Sequence, residues 1–230
     1  MSRRPTIHDS PLELLPSRES APPSEPLVVH VETVPTDVAT TTAHRAPGAA
    51  RATRRRVLSS NPRLCRIVAL GTAVSGKAAV CHLARTVTDE KLMLDEFWHR
   101  VEATEGCVVT WNGGYGLRMI LLRSLVLRVP LTIDARQIAD WFERGRYSPH
   151  FDCLSVLTNC DDSLVGEGLE EWATFLGLPS ETHPDEADVC AMVQRRQWDI
   201  LGAHVRHAVT TVDGVYRKAR SYFPSILGGR

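Results

Sequence analysis

What the chain lacks narrows the field first. Its six cysteines (Cys65, Cys81, Cys107, Cys153, Cys160 and Cys190) contain no C-x-x-C pair. That spacing argues against a zinc ribbon, and several of them sit in apolar runs where a reduced cysteine packs as a small core residue. No apolar run approaches the roughly 18 residues of a membrane span, and no secretory h-region is visible. The chain therefore reads as soluble and cytoplasmic, with no membrane partner. There is no excess of charge of either sign: Lys+Arg and Asp+Glu number 27 each. No global field commits the protein to a polyanion or a membrane surface. No repeat of roughly 20 to 50 residues is present, which excludes solenoids and propellers.

What remains is enough for one domain with its own core: 230 residues. Residues 1–25 carry Pro5, Pro11, Pro16, Pro22 and Pro23 among Ser, Arg and Glu, and read as a disordered leader. The ordered domain is expected over 26–224, followed by a tail at 225–230. Leu27–Val34 (LVVHVETV) is the first predicted strand. Residues 36–60 form a long, polar, basic loop whose run Arg54-Arg55-Arg56 reads as a solvated charge cluster or a phosphate contact. Arg66–Val74 and Ala78–Ala84 are two strands joined by Ser75-Gly76-Lys77, a hairpin signal. Thr88 is the expected cap of the next helix; with Lys91 at N3 it would make no capping box. Leu92, Leu94, Phe97, Trp98 and Val101 supply that helix with an apolar face.

The most informative stretch is Val108–Ser124. Val108, Val109 and Trp111 have the content of a buried strand, and Asn112-Gly113-Gly114 breaks it. Leu117, Ile120, Leu121, Ser124 and Leu125 then recur at helical spacing. A strand, a glycine turn and a helix put residues at the carboxyl end of a sheet strand, where α/β proteins bind ligands. Beyond it, a short helix is expected over Ala135–Arg144 and a segment of open type over Phe151–Leu157. Further helices are expected over Leu169–Leu176, Pro184–Arg195 and Trp198–Tyr222. The order β-β-β-α-β-α followed by helices predicts an α/β fold, a mixed sheet with three antiparallel strands at its start and flanking helices.

Six segments taken in order carry a resemblance: VVHVETVP (28–35), NPRLCRIVALG (61–71), LMLDEFWHR (92–100), VVTWNG (108–113), RYSPHFDCLSVL (146–157) and LEEWATFLGLP (169–179). They resemble the predicted 3′–5′ exonucleases related to the proofreading domain of family B DNA polymerases, within the ribonuclease H-like superfamily. The resemblance implies a ribonuclease H-like fold and two divalent metals held by four carboxylates. It also locates those carboxylates. The Asp-x-Glu of the first strand reads His30-Val31-Glu32 here, so Glu32 is the retained acid. The expected Asn-Gly-x-x-Phe-Asp-Leu reads Asn112-Gly113-Gly114-Tyr115-Gly116-Leu117, one residue shorter, with Gly116 where the Asp belongs. A glycine-only backbone angle at Gly116 is expected to resist an Asp there. The expected Tyr-Cys-x-x-Asp-Val reads His204-Val205-Arg206-His207-Ala208-Val209, so Ala208 replaces an Asp. In the His-x-Asp-Leu segment, His150 and Asp152 are kept.

Three of the four implied metal acids are thus absent, and Mg²⁺ accepts neither imidazole nor glycine in their place. The resemblance then implies a catalytically degenerate exonuclease-like protein with no metal cofactor, serving as a nucleic-acid-binding or scaffold module. Single-stranded DNA or RNA is the implied partner. Asn112, Tyr115, Arg118, Arg146 and Asp152 are the candidate contacts, with Trp111, Arg123 and Arg144 beside them; solvated arginines and core aromatics are the alternative. Two other readings stay open. One is an active enzyme using Mg²⁺ or Mn²⁺ through Glu32 and Asp152, or Zn²⁺ or Mn²⁺ through Glu32 with His30 and His204. The other is a protein-interaction module that binds another protein and no nucleic acid.

Overall fold

The computed structural model describes residues 25–36, 64–142, 149–158, 168–179 and 186–222. The leader at 1–25 (save its last residue), nearly all of the 36–60 loop and the tail at 225–230 lie outside those residues.

Five strands form one mixed sheet. β1 (Leu27–Pro35), β2 (Cys65–Val74) and β3 (Val80–Leu83) run antiparallel in sequence, and β4 (Val108–Thr110) and β5 (His150–Asp152) add parallel on the far side. The spatial order is β3-β2-β1-β4-β5, which places β1 at the centre with antiparallel β2 on one side and parallel β4 on the other. The mixed α/β sheet with flanking helices expected from the sequence is the fold observed. The hairpin strand is shorter than its apolar content implied, Val80–Leu83 rather than Ala78–Ala84.

Seven helices are described. α1 (Val87–Ala103), α2 (Gly113–Leu127) and α3 (Ala135–Asp140) precede β5; α4 (Cys153–Leu157), α5 (Leu169–Phe175), α6 (Glu186–Gln194) and α7 (Trp198–Tyr222) follow it. The segment of open type at Phe151–Leu157 resolves into the end of β5 and all of α4. The cap of α1 is a correction: Thr86, not Thr88, accepts from the Asp89 amide, and the Asp89 carboxylate answers the Thr86 amide in a full capping box. The glycines after Asn112 are also not a separate turn, since α2 begins at Gly113 itself. None of the described helices is long and apolar enough to cross a membrane.

The sheet separates two cores because successive side chains of a strand face opposite ways. Leu27 and Val29 of β1 join Phe97 and Trp98 of α1 and Leu117 and Ile120 of α2 on one face. Val28, between them, joins Val209, Val212 and Tyr216 of α7 on the other. α7 lies close because β2 presents small residues beneath it. A Cβ on Gly71 would stand 2.6 Å from both Val205 Cγ1 and Val209 Cγ2, so nothing larger than glycine fits there. This close approach brings the first half of α7 over the middle of β1.

Buried polar groups pin the frame. Glu90 is fully buried and accepts two bonds from Arg123, each 2.7 Å, and one from the Ile67 amide. At the other end of the sheet Asp213 of α7 accepts from the Ser75 hydroxyl at 2.6 Å and the Gly76 amide at 3.0 Å, fixing the β2–β3 turn to α7.

Candidate functional site

His30 and Glu32 are two residues apart on β1 and so share the face turned to α7. β1 and β2 pair in register up to Glu32↔Ala69, and the register shifts between Glu32 and Thr33. Such an irregularity re-aims the strand beside a site. Across from them, α7 delivers His204. The Nε2 atoms of His30 and His204 lie 3.1 Å and 3.0 Å from the same oxygen, Glu32 Oε1. The two rings meet edge to face, centroids 6.2 Å apart and planes at 87°. One ligand atom from each of the three residues lies within 4.8 Å of the others.

The electrostatics follow from this geometry. Burial of Glu32, only 16% exposed, raises its pKa; hydrogen bonds from His204 and His30 and the charge of both rings lower it further than burial raises it. The net result is a carboxyl held down at about 2 against an ordinary 4.5. His204 is the most enclosed of the three at 7% exposure and His30 the most open at 24%, so the cluster faces solvent along its His30 side.

The remaining positions singled out by sequence divide. Ala208 is buried on α7, one turn beyond His204. Gly116 does not share the His30–Glu32 face: a Cβ there would meet Val31 Cγ2 at 3.8 Å, and Val31 packs with the core of α1 and α2 on the opposite face of β1. The expectation of a glycine-only angle at Gly116 is overturned. The glycines of positive φ in this chain are Gly76, Gly106 and Gly177 among the described residues, and ordinary helical backbone at 116 leaves open room for a side chain. Its neighbour Tyr115 reaches β1, with its hydroxyl 3.1 Å from Thr33 Oγ1, so the aromatic ties α2 to the strand that carries the cluster.

Asp152 has a different occupation from metal binding. Its Oδ1 and Oδ2 accept from the Asn112 and Gly113 amides at 3.0 and 2.9 Å, and Oδ1 also meets the Ser155 amide at 3.4 Å. It thus caps the start of α2, where a carboxylate also suits the helix dipole, and the start of α4. Asn112 accepts the left-handed backbone that this turn requires, φ 52°. Gly113 is demanded by contact: a Cβ would stand 2.1 Å from Thr110 Oγ1 and 2.6 Å from His150 Nε2. His150 bonds the Trp141 carbonyl through Nδ1 and Thr110 Oγ1 through Nε2, both at 2.8 Å. A carbonyl only accepts, so the proton is on Nδ1. Burial lowers the pKa of the ring, offset in part by the Trp141 carbonyl and Asp152, and the neutral ring then accepts from Thr110.

Of the arginines, Arg118 lies over the Phe142 ring at 5.8 Å and Arg123 is committed to Glu90. Trp111 packs in the α7-side core, 6.4 Å from Trp172. Arg144 and Arg146 lie outside the described residues. The partners missed by sequence reasoning, Thr33, Thr110 and Trp141, left no local signal, since each acts through a contact distant in the chain.

A family model for predicted 3′–5′ exonucleases related to the exonuclease domain of PolB matches residues 60–220. That span includes Asn112–Gly116 and His204–Ala208 but stops short of β1. Among solved structures, the family B DNA polymerase of the hyperthermophilic archaeon Pyrobaculum calidifontis is similar over 88% of this chain, with a TM-score of 0.59 and 15% identity. The likeness covers 25% of that polymerase, so the chain spans a quarter of its length, and at this identity what is shared is the fold. No curated protein matches the chain.

Proposed function

The chain belongs to the family of predicted 3′–5′ exonucleases related to the exonuclease domain of PolB, and from that membership we propose that it is a catalytically degenerate member, binding single-stranded nucleic acid without cleaving it. The observation that carries this reading is the composition of the His30–Glu32–His204 cluster. Two-metal cleavage uses a set of carboxylates to hold two dications about 3.5–4 Å apart. Among the described residues the cluster offers one carboxylate, with two imidazoles bonded to it. Asp152 and Asp213 are held by backbone amides and a serine hydroxyl elsewhere. Imidazole is a poor ligand for Mg²⁺, and a single acid cannot offset the charge of two such ions. The residues do not fit a two-ion carboxylate centre.

The same substitutions favour retention of a strand over its cleavage. The acids replaced by His30 and Ala208 leave the pocket less repulsive to phosphate, and two imidazoles add donors for phosphate oxygens. Tyr115 and Arg118 belong to α2, which covers the other face of β1, and are the contacts proposed there for stacking and phosphate pairing.

The test is incubation of the purified chain with 3′-labelled single-stranded DNA and RNA in Mg²⁺ and in Mn²⁺, beside a gel-shift series in rising salt. The expected outcome is intact oligonucleotide and binding that weakens as salt rises. Stepwise shortening from the 3′ end, abolished by Glu32→Ala, would overturn the non-cleaving reading. Absence of binding at low salt would overturn the nucleic-acid half of it.

A further inference from the structure

We propose that His30 Nε2, Glu32 Oε1 and His204 Nε2 form a mononuclear site for a borderline divalent transition ion of the Zn²⁺ class, in place of a hard-cation centre. Geometry supports this first. A tetrahedral Zn²⁺ with bonds of about 2.0–2.1 Å has ligand–ligand edges of about 3.3 Å. Two edges of the cluster, 3.1 and 3.0 Å, already stand close to that length. The third, between the imidazole nitrogens, lies within the 4.8 Å span of the cluster.

Donor chemistry points the same way. Two imidazole nitrogens and one carboxylate oxygen suit Zn²⁺ and its neighbours, and they are the three-ligand set that leaves a fourth position open. Mg²⁺ requires near-octahedral oxygen coordination that this set does not provide. The frame is rigid in the way a metal site needs. His30 and Glu32 are fixed on the central strand, and His204 is fixed by the packing of α7 through Gly71. The greater exposure of His30 puts the open position toward solvent, where a water or a phosphate oxygen is the chemistry it would accept. His207 takes no part: its Nε2 lies 3.3 Å from Thr211 Oγ1, and it does not belong to the cluster.

This site goes beyond the non-cleaving reading and does not depend on it, so the two fail separately. The experiment uses the full chain stripped with a chelator, titrated calorimetrically with Zn²⁺ and separately with Mg²⁺. Co²⁺ titration followed by visible absorption reports a tetrahedral environment independently of any activity. The expected result is one Zn²⁺ per chain, no Mg²⁺ binding in the same range, and an intense Co²⁺ spectrum. Affinity should fall by at least about tenfold in His30→Ala, His204→Ala and Glu32→Gln, since each removes a direct ligand. The exposed His99, beside Asp95 and Glu102 on α1, is the control, and His99→Ala should bind as the parent does. Circular dichroism checks that each variant folds; if His204→Ala does not, the more exposed His30→Ala and His204→Gln decide the matter. No stoichiometric Zn²⁺, binding unchanged by the pocket variants, or binding lost in His99→Ala would each overturn the site. Equal affinity for Mg²⁺ would do so as well.

Discussion

Replacing Gly113 by alanine should destabilise the fold by about 3 kcal/mol, while the same change at Gly114 should leave it unharmed or slightly firmer. At Gly113 the new methyl would stand 2.1 Å from Thr110 Oγ1 and 2.6 Å from His150 Nε2, far inside contact distance. Thr110 must turn away, and its 2.8 Å hydrogen bond to His150 is broken. Overpacking of this kind costs about 1–3 kcal/mol, and an unmade bond at a buried polar group adds about 1–3. At Gly114 a Cβ meets nothing within 4 Å, so the helical preference for Ala over Gly, about 0.5–1 kcal/mol, acts alone. Urea unfolding of the two variants and the parent measures both effects. In a thermal melt the Gly113→Ala loss corresponds to roughly 6–12 °C for a chain of this size. Thr110→Ala, which removes the nearest obstacle, should make the second substitution at Gly113 cost less than it does alone. Equal stability of Gly113→Ala and Gly114→Ala would refute the conclusion that Gly113 is required by the approach of Thr110 and His150.

Two further predictions concern charge. Because the folded pKa of Glu32 lies at about 2, below its ordinary 4.5, its ionisation contributes stability that is present above the unfolded value and lost as pH falls through the folded one. The parent should therefore lose up to about 3 kcal/mol relative to Glu32→Gln on acidification across that window; parallel urea titrations over the same pH range measure it, and identical slopes would contradict it. Arg123→Ala should cost about 3–5 kcal/mol, since it strands a buried carboxylate at Glu90, and Glu90→Gln combined with Arg123→Met should recover part of that loss. A change below about 1 kcal/mol in the single variant would mean the pair contributes little.

Much of the architecture could be read from local pattern. β1, α7 and the antiparallel pairing of β2 with β3 follow from side-chain period and from the short Ser75-Gly76-Lys77 turn, all of which act between residues close in sequence. The stop of α5 at Gly177 and the start of α7 at Trp198 were legible for the same reason. Local ambiguity caused the errors at boundaries. Thr86 and Thr88 are equally good caps by type, and the full capping box with Asp89 distinguishes them only once the backbone is in place.

The site divides along the same line. From residue types alone, the chain determined that its first strand carries one acid where two are expected and that histidine and alanine stand at the last motif, because chemistry resides in the residue itself. Which groups touch was settled by tertiary packing. His204 meets Glu32 across 172 positions because small residues on β2 let α7 approach. Asp152 became a cap for α2 because β5 lies parallel beside β4. Gly116 fell to the opposite face of β1 because side chains alternate across a strand and α2 covers the face of Val31. Each of these depends on distances between elements, which no run of neighbouring residues encodes.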